Sequence, residues 1–135
     1  MTPNKKYVIA CLLVSLLYGM GFNVGATHIS KPVLIEPKTQ YLVGEKVVIN
    51  GWVDYNAQPT ADVLLNFRVT AGKGTLIAEN SYSSDKQGHF QFELDTRNLQ
   101  PGTYTITITS HCLEIHRDIC SYNDETLTFD LDNPY

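Results

Sequence analysis

Apolar and polar side chains alternate along most of this chain, from residue 27 to its end. Strict alternation places successive side chains on opposite faces, so it predicts half-buried β-strands. The seven runs that alternate in this way cover residues 32–36, 41–55, 62–69, 75–82, 89–95, 103–109 and 125–131. Turn-forming clusters rich in Gly, Pro, Asn, Asp and Ser separate most of them.

No stretch after residue 27 keeps an amphipathic helical period over three turns. About seven short strands at intervals of roughly ten residues predict an all-β fold, a single antiparallel β-sandwich. The threonines that alternate with Tyr104, Ile106 and Ile108 give one strand a polar face, which disfavours a parallel sheet buried on both sides. A closed barrel is the alternative topology.

The first residues follow a different pattern. Residues 1–6 are polar and include Lys5 and Lys6, and residues 7–22 are almost continuously apolar. This order is typical of a secretory signal, and the small side chains at 24–26 predict cleavage after Ala26. The expected domains are therefore a signal peptide, 1–26, and one folded domain, 27–135. The alternative is an uncleaved membrane anchor within 7–26, although a full span needs about 20 apolar residues.

Composition narrows the function classes. The chain is 43% hydrophobic and 18% charged, which suits a packed globular domain. Its formal net charge is −4, and without Lys5 and Lys6 eight basic residues face fourteen acidic ones, a net of −6. Such a surface repels phosphate backbones, so we expect no nucleic-acid binding.

Four spaced patterns carry a resemblance to a known class of domain. They are Tyr41-x-x-Gly44-Glu45-x-Val47-x-Ile49-x-Gly51-x-Val53, Ala61-x-Val63-x-Leu65-x-Phe67, Asp85-x-x-Gly88-x-Phe90-x-Phe92-x-Leu94 and Leu99-x-Pro101-Gly102-x-Tyr104-x-Ile106-x-Ile108. This order resembles the immunoglobulin-like domains of microbial surface proteins, especially macroglobulin-type and related bacterial Ig-like modules. The resemblance implies an Ig-like sandwich and leaves the function open, because such modules act as spacers, adhesive units and binding domains.

The chain departs from antibody-type domains in its cysteines, because Trp52 precedes both Cys112 and Cys120. Once the signal and its Cys11 are removed, these two remain, and in an oxidising compartment they predict a disulfide. The alternative is a soft-metal site formed by His111, Cys112, His116 and Cys120, although this spacing matches no established zinc pattern.

Candidate contact residues come from two places. Trp52 and Leu64 fall on the nominally polar faces of their strands, where exposed apolar side chains would suit a protein contact. The loop between the last two strands is the other candidate surface, because functional residues of sandwiches cluster on loops. Its candidate residues are Leu113, Ile115, His116 and Arg117. His28 and His89 are expected to be exposed polar side chains, in a flexible N-terminus and a turn.

No catalytic motif appears, neither a nucleophile elbow nor a phosphate-binding glycine loop nor a His-Glu-x-x-His helix. The sequence thus predicts a non-enzymatic module without a cofactor, secreted or held in the periplasm or cell envelope. It would bind a protein partner or join a surface assembly. The alternative function is metal handling by the 111–120 loop, which free-thiol titration would test. Self-association through a loosely held first strand, between Pro32 and Pro37, is a further expectation.

Overall fold

The computed structural model of the protein describes residues 28–135. The predicted signal peptide, 1–26, lies outside the described residues. The strands are β1 (His28–Leu34), β2 (Gln40–Leu42), β3 (Lys46–Tyr55), β4 (Gln58–Pro59), β5 (Leu64–Ala71), β6 (Thr75–Ser83), β7 (His89–Asp95), β8 (Gly102–Ser110), β9 (Cys120–Tyr122) and β10 (Asp124–Asp132). A single 3₁₀ turn, Glu114–His116, lies between β8 and β9.

The strands form two five-stranded sheets packed face to face. The first sheet has the order β4-β3-β1-β9, with β7 also pairing β3, and the second has the order β2-β10-β8-β5-β6. All pairs are antiparallel except β1 with β9 and β2 with β10. The two-sheet arrangement confirms the predicted all-β, Ig-like sandwich, and the two short parallel pairs are additions that the alternation did not indicate.

The buried faces are those that the alternation predicted. The inward side chains of β3, β5, β7, β8 and β10 are fully or almost fully buried, apart from Ala71 at the end of β5, which is partly buried. Phe67 lies at the centre of the core, with its ring stacked on those of Phe92 and Tyr82 at centroid distances of 4.9 and 4.7 Å. Burial of these rings, together with the other inward side chains, stabilises the packing of the two sheets.

Gly51 marks a close approach of two strands. A Cβ at this position would lie 2.3 Å from the Phe90 ring and 2.5 Å from the backbone oxygen of Val33. Only glycine fits at this position. The pairing of β5 with β6 has an irregularity between Val69 and Thr70.

A tyrosine at the start of β8 supports the Ig-like assignment. The Tyr104 hydroxyl donates a hydrogen bond to the backbone oxygen of Gln100 at 2.5 Å. This bond back to the preceding turn resembles the tyrosine corner of Ig-type sandwiches, which fixes the entry to the equivalent strand.

The first strand differs from its prediction. It begins at His28, and β9 pairs with residues 28–30 on the side away from β3. Leu34 is the last residue of β1, and the chain then passes Pro37 to join the second sheet as β2. β9 covers only residues 28–30, and among the described strands Pro32, Val33 and Leu34 pair with β3 alone, so self-association through this edge stays a prediction.

Candidate functional site

The two sheets are joined by a disulfide-bridged segment at one end of the sandwich. We call this end, formed by residues 28–30, 55–57, 62–64 and 110–124, the disulfide end. Cys112 and Cys120 form the predicted bridge, with their Cα atoms 6.0 Å apart. The bridged segment spans the 3₁₀ turn and delivers Cys120 into β9, which pairs with β1 of the first sheet. The bridge thus ties the end of a second-sheet strand to the edge of the first sheet.

A buried hydroxyl pair reinforces this tie. The Ser30 Oγ of β1 donates to the Ser110 Oγ of β8 at 3.0 Å, and both residues are fully buried. Because each hydroxyl satisfies the other, two polar groups are accommodated between the sheets at little cost.

Tyr55 fixes the inner side of the bridged segment. Its hydroxyl accepts a hydrogen bond from the Leu113 backbone N–H at 3.3 Å and lies 2.7 Å from the His116 Nδ1. The direction of the bond between the hydroxyl and the His116 Nδ1 follows the tautomer of the imidazole. The 3₁₀ turn is thereby held against the end of β3.

His28 packs on His116 from the other side. The two imidazole rings are stacked, with centroids 3.9 Å apart and planes 12° from parallel. Asn56 orients the His28 ring: its Oδ1 accepts from the Ile29 N–H, and its Nδ2 donates to the His28 Nδ1 at 2.7 Å. The expectation that His28 belongs to a flexible N-terminus is therefore wrong, because it is the first residue of β1. His89 is exposed as expected, although it is the first residue of β7.

A chain of hydrogen bonds holds His111 against β5 and β6. The Ser81 hydroxyl donates to the Asn66 Oδ1 at 2.7 Å, and the Asn66 Nδ2 donates to the His111 Nε2 at 2.6 Å. Because an amide nitrogen only donates, His111 Nε2 is the acceptor of this bond. Tyr122 packs against the His111 ring at 5.1 Å.

An open cavity of about 410 Å³ lies at this end, between the bridged segment and the start of β5. Leu64, Leu113 and Tyr122 contribute its apolar lining, and both bridge cysteines line it as well. Its polar lining consists of Asp62, His111, Glu114 and Arg117. A cavity of this size lies within the usual range for ligand pockets.

The structure brings some of the predicted contact residues together and separates others. Leu64, Leu113 and Arg117 line the cavity. Ile115 projects from the 3₁₀ turn and is 82% exposed, whereas His116 turns inward to Tyr55. Trp52 is half-buried on the outer face of the first sheet, opposite Val33 and His89. It does not share a surface with Leu64.

The four residues of the alternative metal site are not assembled as ligands. The sulfurs of Cys112 and Cys120 are bonded to each other, while His111 is bonded to Asn66 and His116 to Tyr55. Within residues 28–135, no group of three or more His, Cys, Asp or Glu side chains could hold a metal ion.

Tyr122 and Asp62 belong to this end, and Asn66 contacts it through His111, but the sequence singled out none of the three. Tyr122 lies in β9, which is too short for a periodic pattern. Asp62 has a positive φ of 61°, and Asp is one of the residue types that tolerates this conformation. In the sequence, Asp62 could be recognised only as a polar residue beside a predicted turn.

The carboxylates with shifted pKa values lie at the opposite end of the sandwich. Hydrogen bonds from the Arg97 guanidinium lower the pKa of Asp95, and a hydrogen bond from Lys38 lowers the pKa of Glu45. Each is an exposed ion pair with its own partner. Neither forms a carboxylate pair suited to acid–base catalysis.

Comparisons with known proteins identify a family that this chain matches. The family model described as "Secretion system C-terminal sorting domain" matches residues 46–120. No curated protein matches the chain. A solved CARDB domain from Pyrococcus furiosus, crystallised in complex with di-metal ions, is 16% identical with a TM-score of 0.43, and the alignment covers 78% of this chain and 87% of that one.

No helix among the described residues is long and apolar enough to cross a membrane.

Proposed function

This chain belongs to the family of secretion-system C-terminal sorting domains, and we propose that it is an exported, non-enzymatic module whose disulfide end binds a protein partner in the cell envelope. The matched region begins at the first residue of β3 and ends at Cys120. It therefore includes strands of both sheets and the whole bridged segment.

The distribution of exposed apolar side chains carries the proposal. Among residues 28–135, nine large hydrophobic side chains are exposed, and five of them lie in or beside the disulfide end: Ile29, Leu64, Ile115, Ile119 and Tyr122. Exposed apolar residues are ordinary when scattered, but a concentration at one end favours a protein contact. The exposed ion pair of Arg117 and Glu114 lies in the same bridged segment, and polar groups beside apolar ones are usual in transient interfaces.

Export is supported by three observations. The family is one of sorting domains for secretion, the first residues have the order of a signal peptide, and the Cys112–Cys120 bridge suits an oxidising compartment. We propose cleavage after Ala26, which leaves residues 27–135 as the mature domain. Mass spectrometry of the protein recovered from the envelope or medium should show Thr27 as the first residue. An intact residue 1–26 segment would instead indicate a retained anchor.

The partner site can be tested by photo-crosslinking in cells. A photoreactive amino acid at Leu64 or Ile115 should capture one defined envelope protein. The photoreactive amino acid in place of Leu76 is a matched control. Leu64 and Leu76 are 44% and 46% exposed but lie near opposite ends of the β5–β6 hairpin. Equal capture at all three positions, or capture at Leu76 alone, would contradict a partner site at the disulfide end.

A charged side chain in the apolar surface is the complementary test. Ile115→Asp should abolish the crosslink from Leu64 without unfolding the domain, because Ile115 is 82% exposed and contributes little to the core. Unchanged crosslinking from Leu64 would show that the apolar surface is not the contact.

A further inference from the structure

The cavity at the disulfide end has walls and a rim of different character. Leu64, Leu113 and Tyr122 supply apolar walls, and Asp62, Glu114 and Arg117 supply the charges. This combination suits a ligand that is long and apolar along its length and charged at its tip.

The charges around the cavity are predominantly negative. Its charged lining consists of two carboxylates, Asp62 and Glu114, and one guanidinium, Arg117, a net charge of −1. Arg117 does not reverse this sign, because its guanidinium pairs with the Glu114 Oε1 at 3.0 Å. A cation entering the cavity therefore meets a favourable potential.

Asp62 is the carboxylate best placed to receive such a cation. Within residues 28–135, no Lys, Arg or His side chain forms an ion pair with it. Its backbone is fixed by a hydrogen bond from the Asp62 N–H to the Ser84 oxygen at 3.2 Å, in a conformation with positive φ. The side chain is thus presented at the cavity without a partner of its own.

The aromatic wall fits the same ligand. Tyr122 is 55% exposed and packs against His111, which leaves part of its ring available at the cavity. A cation above a tyrosine ring is attracted by the ring quadrupole, and the methylenes of a lysine or arginine pack well on leucine side chains.

We propose that this cavity binds a lysine or arginine side chain of the partner, with the cationic tip at Asp62 and the aliphatic part against Leu64 and Leu113. The proposal rests on the proposed function, because it gives the chemistry of the partner at the same end. The partner cation also competes with Arg117 for Glu114, so removal of Arg117 strengthens binding.

Short peptides supply the probes. The full chain is expressed with its N-terminal segment, so that processing is left to the cell, and is labelled with ¹⁵N. It is titrated by NMR with N-acetyl-Gly-Lys-Gly-amide and the corresponding arginine, norleucine and glutamate peptides. The lysine and arginine peptides should shift the amides of residues 62–64 and 111–122 saturably. Stronger binding of the glutamate or norleucine peptide, or an absence of shifts at these amides, would overturn the proposal.

Charge variants sharpen the result. Asp62→Asn keeps a residue that tolerates positive φ, and it should weaken binding of the lysine peptide by about two- to fivefold, as for an exposed ion pair. Arg117→Gln should strengthen binding of the same peptide by a factor in the same range. Glu79→Gln, an exposed carboxylate on β6 away from the cavity, is the matched control and should change nothing. Equal effects of Asp62→Asn and Glu79→Gln would overturn the assignment.

This experiment separates the two proposals. If Leu64 captures a partner in cells but the lysine peptide does not bind the cavity, the cation site fails and the proposed function stands. If the peptide binds as expected but no partner is captured at Leu64 or Ile115, the proposed function fails and the cavity keeps its ligand chemistry.

Discussion

In the middle of the sandwich the Phe67 ring stacks on Phe92 and Tyr82, whereas at the disulfide end the same two sheets are joined by a covalent bridge and by hydrogen bonds of Ser30, Tyr55 and His116. Apolar burial is non-directional and acts along every inward strand position. Polar contacts depend on the geometry of a few atoms. One region therefore sets the stability of the domain, and the other can change locally while the sheets remain intact.

The largest effect is expected in the middle. Phe67→Ala removes the ring at the centre of the aromatic stack and leaves a cavity, which should lower the free energy of unfolding by about 3–5 kcal/mol. Chemical denaturation followed by circular dichroism measures this loss. Arg68→Ala, the exposed neighbour on the same strand, is the control and should stay within about 0.5 kcal/mol of the wild type.

Removal of the bridge should have a smaller and more local effect. Replacing Cys112 and Cys120 with serine should cost about 2–3 kcal/mol in the chain-entropy model of a short loop. The strand signal in circular dichroism should persist, because the core lies in the sheets. Hydrogen exchange should speed up in residues 111–122 and at the β9 side of β1. Faster exchange throughout β5 and β8 would show that the two regions are not separable.

A single hydroxyl tests the polar contacts of the disulfide end. Tyr55→Phe keeps the buried ring and removes the partner of both the Leu113 N–H and the His116 Nδ1. The expected cost is about 1–2 kcal/mol, because two part-buried polar groups lose their bond. Exchange of the Leu113 amide should accelerate most. Unchanged protection of that amide would mean that the 3₁₀ turn is held without Tyr55.

Tyr82, whose ring stacks on Phe67 in the middle of the sandwich, offers a test of that region by pH. Burial, followed by the charge of Glu93, raises the pKa of its phenol from 10.0 to about 12. The raised pKa means that the folded state favours the neutral phenol. This contribution is complete below pH 10 and is lost as the pH rises through about 12.

Tyr82→Phe removes this titration and a hydrogen bond to the Gln91 backbone oxygen, but keeps the stacked ring. It should cost about 0.5–1 kcal/mol at neutral pH, and this difference should shrink and then reverse as the pH rises through about 12, because only the wild type must bury a phenolate in the folded state. Denaturation curves between neutral and alkaline pH measure the difference. A constant difference at all pH values would contradict the role of the phenol.

The smallest expected effect is a gain in stability. Asn56 and Ala57 form the two-residue turn between β3 and β4, with positive φ values of 52° and 65°. This geometry is typical of a type I′ turn, in which glycine is preferred at the second position. Ala57→Gly relieves the left-handed strain of alanine but adds freedom to the unfolded chain, so the net stabilisation should be about 0.5 kcal/mol. Thermal unfolding measures it, and a lower midpoint would contradict this interpretation of the turn.

Much of the sandwich could be predicted because its signal is local. The alternation of Val63, Leu65, Phe67 and Val69 assigns a buried face without knowledge of any neighbour, and all four are fully buried. β7 has the predicted bounds for the same reason, whereas the predicted run 41–55 is divided into β2 and β3, which lie in different sheets. β4 and β9 escaped prediction because strands of two or three residues contain no period.

The candidate site could be predicted only in part. Two cysteines in an exported chain indicated the bridge, and the bridged loop was a natural contact surface. The sequence could not show that Asp62, 50 positions before Cys112 along the chain, faces the same cavity, or that His28 stacks on His116. Trp52 and Leu64 were both selected because they fall on the polar faces of their strands, but they lie on the outer faces of different sheets.

The sequence by itself determined which side chains of the regularly alternating strands are buried, because a strand alternates its faces whatever it pairs with. Only the tertiary structure decided which strands are neighbours, where the charges of separate loops meet, and how the disulfide end encloses a cavity. Those features depend on contacts between residues far apart in sequence, and no local pattern encodes them.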